Sequence, residues 1–439
     1  MREDPSEAEG RTGEPAQLSA LQVIRDPRVF RLLTVSFLST CATFLQAAAL
    51  GLQVYDITGS NLALGLLGLV EFIPSALLVL VTGSVADHFD RRKVAALGLA
   101  VSAAGALTLG WYAGTSPTSV VPIFALVFVY GVAKAFVSPA LRSLIPMVVE
   151  RDILPRVVAL NSTTWQLAIV LGPAASGFLY NADPSYAYYA TAALLLGALV
   201  TVLTVMMPPD WATRVVTVFR PDMRSALEGL QFIRRTPVLL GAIALDLFAV
   251  LFGGAVTLLP AIADEQLGVG NVAYGWLRAS AGVGSFVVAV IITARPIHRH
   301  IGRVLLSVVA IFGFATIVLG ITHNYWVAML AIVTLSGADM VSVYVRSTLV
   351  PLVTPDDRRG RVSAVEQVFI GASNELGAFE SGVAAAVFGL GPAIVLGGAA
   401  TVTVVGVWSV CFPDLRDIDR FEDVMTRDAT LPGHGPVPP

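Results

Sequence analysis

The sequence predicts an all-α integral membrane protein of twelve transmembrane helices, arranged as two pseudo-symmetric six-helix bundles. Three observations carry that expectation: charge is scarce, long apolar segments follow one another, and the second half repeats part of the first. Charged residues make up 13% of the 439, against roughly 25% in soluble domains, and the mean hydropathy is +0.76. A helix of ~20 apolar residues crosses the ~30 Å hydrocarbon core of a bilayer, and a window of about that length finds twelve candidates.

Residues 1–29 read as a polar, acidic cytoplasmic tail without the basic start and apolar core of a cleavable signal peptide. Spans are expected at about 30 to 55, 62 to 85, 94 to 114, 120 to 145, 157 to 180 and 186 to 207, which form the N-terminal bundle, 30–207. The one long polar connection follows, residues 208–237. Within it Met223, Leu227, Leu230 and Ile233 recur at helical spacing, so the segment Asp222 to Arg235 is expected as an amphipathic helix lying along the membrane surface. The C-terminal bundle, 238–412, holds spans at about 238 to 262, 272 to 294, 303 to 321, 326 to 350, 362 to 388 and 391 to 412. The tail 413–439, ending Gly-His-Gly-Pro-Val-Pro-Pro439, reads as a disordered cytoplasmic extension.

Charge sets the orientation. With both termini inside, all but two of the 28 Lys and Arg fall in the tails, in loops on that side, or within a turn or so of the spans entering them; the exceptions are Lys134 and Arg278. Positive residues gather on the cytoplasmic side, so both termini are expected there, in a cell (inner) membrane. A shift of 205 residues superposes Pro146 on Pro351, Val148 on Val353, Asp152 on Asp357, Arg156 on Arg361, Val157 on Val362, Ala159 on Ala364, Gly172 on Gly377 and Gly177 on Gly382. A duplication of six spans explains this and implies a pathway between the halves.

Between the second and third spans lies a charged clasp, Gly83-Ser-Val-Ala-Asp87-His-Phe-Asp90-Arg91-Arg92-Lys93. Six plus six helices, a long middle loop and this clasp resemble the major facilitator superfamily, whose loop signature is approximately Gly-x-Leu-Ala-Asp-Arg-x-Gly-Arg-Arg. Gly83, Asp87, Arg91 and Arg92 occupy its main positions, while Asp90 replaces the second glycine and His88 the first basic residue. The corresponding second-half loop, Arg295 to Arg303, is degenerate, with Arg299 where Asp87 should be. Pro139 to Pro146, Asp246 to Gly254 and Asn374 to Gly382 are similar to the branch containing enterobactin exporters and macrolide efflux proteins. Gly172-Pro173 with Gly177 partly fits the Gly-Pro antiporter signature, and with Gly377 and Gly382 these residues are expected at helix contacts. The resemblance implies proton-driven export of a small organic molecule.

It also implies a cytoplasmic latch of Gly83, Asp87, Asp90, Arg91 and Arg92. Asp87 would accept hydrogen bonds from free amides at the start of span eleven, where the helix dipole favours negative charge. Arg91 and Arg92 would pair with Glu150, Asp152, Asp356 or Asp357 when the inner side is closed. The alternative is a turn that signals topology, its charges merely solvated.

Ionisable residues inside spans are costly to insert, about 2.5–3.5 kcal/mol at the centre, and face a cavity or a partner. Glu71, Lys134, Asp246, Arg278, Asp339, Arg346, Glu375 and Glu380 qualify. Glu71, Asp246, Asp339, Glu375 and Glu380 are candidates to carry a proton, Asp246 and Glu71 foremost; the alternative for each is a structural ion pair or interhelical hydrogen bond. Asp339, Ser342 and Arg346 share one helical stripe, whereas Glu375 and Glu380 point nearly opposite ways. Lys134 would pair with Glu71 or Asp246, or hold an anionic substrate. Gln46, Lys134, Asn161, Trp165, Gln166 and Arg278 are candidates for the cavity wall, though polar residues between packed helices also serve as glue. Trp111, Tyr112, Tyr325 and Trp326 are expected as interfacial anchors.

Enzyme and nucleic-acid readings find no support. No His/Cys group has metal-ligand spacing, so no metal is expected; there is no phosphate-cradling loop, and no cofactor or nucleic-acid partner is expected. Cys41 and Cys411 fall in apolar runs at opposite ends of the chain and indicate no disulfide framework. The expectation is a monomeric secondary transporter in the lipid bilayer, alternating between two open states. It would export a siderophore-like or other amphipathic small molecule against protons, with multidrug or macrolide efflux as the nearest alternative and a transport-inactive sensor or scaffold as a more distant one.

Overall fold

The structure is a computed structural model that describes residues 20–150, 152–206, 223–355 and 358–423. Its long helices follow the expected spans within a few residues: α1 (Pro27–Thr58), α2 (Asn61–His88), α3 (Arg91–Ala113), α4 (Val121–Val148), α5 (Leu154–Ala182), α6 (Pro184–Leu203), α7 (Pro237–Gln266), α8 (Asn271–Ala294), α9 (Ile301–Ile321), α10 (Tyr325–Val353), α11 (Arg359–Phe388) and α12 (Leu390–Cys411). Eleven are long and apolar enough to cross a membrane. The exception is α11, which has the length but carries Arg359, Arg361, Glu366, Glu375 and Glu380.

Local chemistry sets the helix ends. Asp26 accepts a hydrogen bond from the Arg28 amide at 2.8 Å and Pro27 opens α1, which ends at Gly59 with φ +54°, a left-handed conformation that glycine adopts freely. Asp183 caps α6 and Asn324 caps α10 in the same way. The seventh span departs from expectation: regular α-helix stops at Phe252, Gly253 and Gly254 follow, and the chain continues as a 3-10 turn and then a π-helical turn over Ile262–Gln266. Close packing requires glycine at both positions. A Cβ on Gly254 would sit 2.6 Å from the Ser381 hydroxyl of α11, and the Phe312 ring crowds Gly253.

In the first half α1 packs on α5 and α6, α3 on α4 and α6, and α2 on α4; in the second, α9 packs on α10 and α12, α8 on α10, and α7 on α11 and α12. The halves meet mainly through α2 with α11 and α5 with α8. Both seams are glycine crossings. A Cβ on Gly177 would lie 2.8 Å from the Gly275 Cα, and one on Gly382 would lie 2.9 Å from the Gly65 Cα. Gly172 sits as closely against α1, where the Cys41 carbonyl would be 3.0 Å from its Cβ, and Gly377 against the Val250 carbonyl of α7 at 2.6 Å. Pro173 is buried in α5 beside Gly275. Gly172, Gly177, Gly377 and Gly382 all sit at close helix crossings.

Buried apolar residues form three clusters. One draws on both halves at the end away from the termini, from Leu45, Leu50 and Tyr180 to Leu259, Tyr274 and Leu390. At the end that carries the termini there are two, one built from residues 23–205 and one from residues 233–418. The halves therefore share a core at the far end and keep separate cores at the near end.

The linker helix, Met223–Arg235, is present, but its apolar face is divided. Ile233 is buried in the second-half core while Leu227 is exposed. The helix rests on the start of α11, where Arg361 pairs with Glu228 at 2.9 Å and the Arg358 guanidinium stacks 5.2 Å from the Phe232 ring.

Candidate functional site

A cavity of about 800 Å³ lies between the halves, walled by α1, α2, α4 and α5 on one side and by α7, α8, α10 and α11 on the other. It reaches toward the near end at Arg142 and Ile145, and the shared core closes it at the far end. Far-end closure is also polar. Tyr55 of α1 donates to Glu265 of α7, and Arg278 donates to the Tyr274 hydroxyl at 3.2 Å, which in turn donates to the Ala48 carbonyl of α1 at 3.2 Å.

The cavity wall has three chemistries. An aromatic part is formed by Trp165 set edge-on against Phe44 at 6.2 Å, with Phe72 nearby. A hydroxyl stripe runs up α1 through Ser36, Ser39, Thr40 and Thr43. Ser39 and Thr43 give their protons to backbone carbonyls one turn back, at 2.7 and 3.0 Å, which leaves their oxygens as acceptors toward the cavity. Tyr130 donates to Thr43 at 3.1 Å. This stripe was legible as polar residues at i, i+3, i+4 and i+7 in an apolar span. The third part is charged, with Glu71, Lys134, Arg142, Arg278, Asp339 and Glu375 all on the wall.

Ion pairing sorts the carboxylates. Glu71 meets Lys134 at 2.5 Å, and Asp246 meets Arg346 at 2.7 Å. The two residues foremost as proton carriers are therefore held by cations, and Lys134 takes Glu71 rather than Asp246. Asp339 and Glu375 lie beside these pairs, and among the described residues neither makes an ion pair. Glu375 is near enough to interact electrostatically with both Glu71 and Lys134. Lys134 and Asp339 stand 205 positions apart, the repeat distance, so one repeat position bears opposite charges in the two halves.

Other candidates fall elsewhere. Asn161, Trp165 and Arg278 line the cavity, whereas Gln46 and Gln166 do not. Both glutamines are packed between helices, where each Oε1 lacks a hydrogen-bond partner within the protein. Glu380, on the face of α11 away from Glu375, is also absent from the wall. In the clasp, Asp90 caps α3 by accepting from the Arg92 amide at 2.9 Å, and its other oxygen pairs with the Arg92 side chain at 2.9 Å. Arg92 also donates to the Val205 carbonyl after α6 at 2.9 Å. Arg91 is buried and donates to the Met147 sulfur at 2.8 Å. Gly83 and Asp87 lie in α2, in a stretch whose side chains are outside the described residues.

This geometry, a central cavity closed at one end between glycine-seamed halves, matches a known family. Residues 32–378 match the Major Facilitator Superfamily. The chain belongs to that superfamily. It is therefore a multi-pass membrane transporter of small molecules. It is 24% identical over 391 residues to an uncharacterized MFS-type transporter YvqJ of Bacillus subtilis strain 168, covering 86% of this chain and 90% of that one. It is 27% identical over 356 residues to Enterobactin exporter EntS of Escherichia coli O1:K1, covering 79% and 82%. To Macrolide efflux protein A of Streptococcus pyogenes it is 27% identical over 182 residues, 40% of this chain and 44% of that one. Among solved structures, a bacterial homolog of the human lysosomal transporter Spinster, in an inward-facing and occupied conformation, superposes with a TM-score of 0.68 at 14% identity, covering 92% of this chain and 98% of that one. That likeness concerns the fold alone.

Proposed function

We propose that the protein is a proton-driven exporter of a siderophore-like or other amphipathic small molecule. It works by alternating access as a monomer, with both termini and the clasp on the cytoplasmic side of the cell membrane. The observation that carries this reading is Glu375 on the cavity wall beside the Glu71–Lys134 pair. Two carboxylates sharing one ammonium carry a net charge of −1 when both are ionised and none when one proton is bound. When the cavity closes and sheds its water the neutral form is favoured, and when it opens the charged form is, so the cluster exchanges a proton as its surroundings change.

The wall supports an amphipathic substrate, offering aromatic faces, hydroxyl acceptors and charges of both signs. The similarity to the enterobactin exporter supports export, and the macrolide efflux relative supports the second reading. The unit boundaries that go with this reading are 30–207 and 238–412, joined by 208–237. In the opposite state, with the near end closed, Asp87 would meet the start of α11 and lock the clasp.

Proteoliposomes under an imposed proton gradient test the proposal with enterobactin and a macrolide in parallel. Accumulation of either should follow the gradient in wild type and be lost in Glu375→Gln with binding retained. Gradient-independent movement, or none across a broad panel, would reject proton-driven export.

A further inference from the structure

A second charged cluster lies behind the cavity wall in the second half. Asp246 of α7 and Arg346 of α10 pair at 2.7 Å with side chains only 8% and 5% exposed. Asp339 lines both the large cavity and a small pocket beyond it, which Asp246, Ser342, Val250, Val309 and Phe312 help to enclose. The pocket leaves about 10 Å³ for the centre of a water molecule, close to the roughly 10–15 Å³ needed to hold one. Two polar atoms have no hydrogen-bond partner within the protein: the hydroxyl of Ser342, which lines the pocket, and Nε of Arg346, which pairs with the pocket residue Asp246, in residues 3% and 4% exposed. Buried polar atoms of this kind are as a rule satisfied by ordered water.

The charged groups around this pocket are few. α7 supplies Asp246, α10 supplies Asp339 and Arg346, and α11 supplies Glu366, which interacts with both Asp246 and Arg346. α9 contributes Val308, Val309 and Phe312, α8 faces the cavity with Arg278, and the α12 span carries no charge. With all four groups ionised the cluster sums to −2, of which Asp246, Asp339 and Arg346 account for an excess of −1 and Glu366 for the rest. A sodium ion could neutralise that excess, but Arg346 already occupies Asp246 and would repel a second cation in the same shell. A proton needs no coordination shell, and when it sits on Asp246 the carboxylate it leaves ionised on Asp339 keeps a negative charge near Arg346.

We propose that Asp339 and Asp246 hold one exchangeable proton of their own, shared through a single water seated by Ser342 and Arg346. Asp339 is the cavity-facing entrance. Its carboxyl O–H gives a proton to the water, the water passes one of its own to Asp246, and the water is restored, so that one proton moves and nothing else changes. The site is separate from the Glu71–Lys134–Glu375 cluster. It rests on the proton coupling proposed above only in giving that coupling a second acceptor.

Infrared difference spectra of the full chain in lipid nanodiscs, acid minus alkaline, test it without any substrate. A protonated-carboxyl C=O band should be lost in Asp339→Asn, shifted but kept in Asp339→Glu, and unchanged in Glu375→Gln. Ser342→Ala should remove a buried-water O–H band. If Asp339→Asn and Asp246→Asn both leave the wild-type spectrum, the proposal fails. It fails equally if the only titrating band is the one removed by Glu375→Gln, an outcome that leaves the first-half proton intact. Loss of the band on replacing choline with sodium would assign the site to a metal ion instead. Should Asp339→Asn not fold, an unshifted band in Asp339→Glu overturns the proposal.

Discussion

The two intramembrane ion pairs have the same chemistry and opposite exposure. Lys134 and Glu71 retain 42% and 19% of their side-chain surface at the cavity, whereas Arg346 and Asp246 retain 5% and 8%. A solvated pair holds its partners weakly and can trade them for a ligand or a proton. A desolvated pair is held hard, because removing one partner strands the other charge away from water. The first-half pair thus presents its charges for exchange at the cavity while the second-half pair is shut in, with Asp339 beside it on the cavity wall.

Removing the buried cation should have the largest effect. Arg346→Ala should lower unfolding stability by about 3–5 kcal/mol in detergent-solubilised protein, and Asp246→Asn combined with Arg346→Gln should restore most of it. Wild-type stability in Arg346→Ala would erase the contrast between the pairs. Next come the seams: Gly382→Val should cost about 1–3 kcal/mol by overpacking against Gly65, while Gly406→Ala, where nothing lies within 4 Å of the added carbon, serves as the control. Asp90→Ala should cost about 0.5–2 kcal/mol through the lost cap of α3. Partial burial works to raise the Asp90 carboxyl, but hydrogen bonds from the Arg92 side chain and amide outweigh it and hold the group below the ordinary value of 3.8. Its contribution is accordingly full above about pH 4 and disappears as pH falls through the lower folded value. An acid titration of wild type against Asp90→Ala should converge at low pH. The smallest stability change is expected for Lys134→Met, about 1 kcal/mol or less, although transport should fall sharply. A stability loss as large as that of Arg346→Ala would mean that both pairs are buried alike.

Helix positions were open to sequence reading because a bilayer asks for ~20 apolar residues at a time. α11 shows the limit, since its charges keep it below the apolar threshold while its place between α10 and α12 and its glycines make it the seam to α2. Partner choice was not legible. The sequence left Lys134 to either Glu71 or Asp246, and only the packing of α2 on α4 and of α7 on α10 gives Lys134 to Glu71 and Arg346 to Asp246. Gln46 and Gln166 failed as cavity residues for a similar reason, because helical phase names a face without saying what it meets. The broken seventh span was visible only as adjacent glycines, whose meaning depends on how closely α11 and Phe312 press upon them.

The apolar core that joins the halves at the far end gives the molecule a dependence on temperature. Opening that end must expose part of the shared cluster, from Leu50 and Tyr55 to Leu259 and Leu277. Burial of apolar surface weakens on cooling, whereas contacts between charges do not share that trend. The near end closes through charged side chains in the reading given above. Cold should therefore loosen the far gate relative to the near one, and heat should tighten it. The balance between the two open states becomes a thermometer, set by how much carbon each gate hides from water.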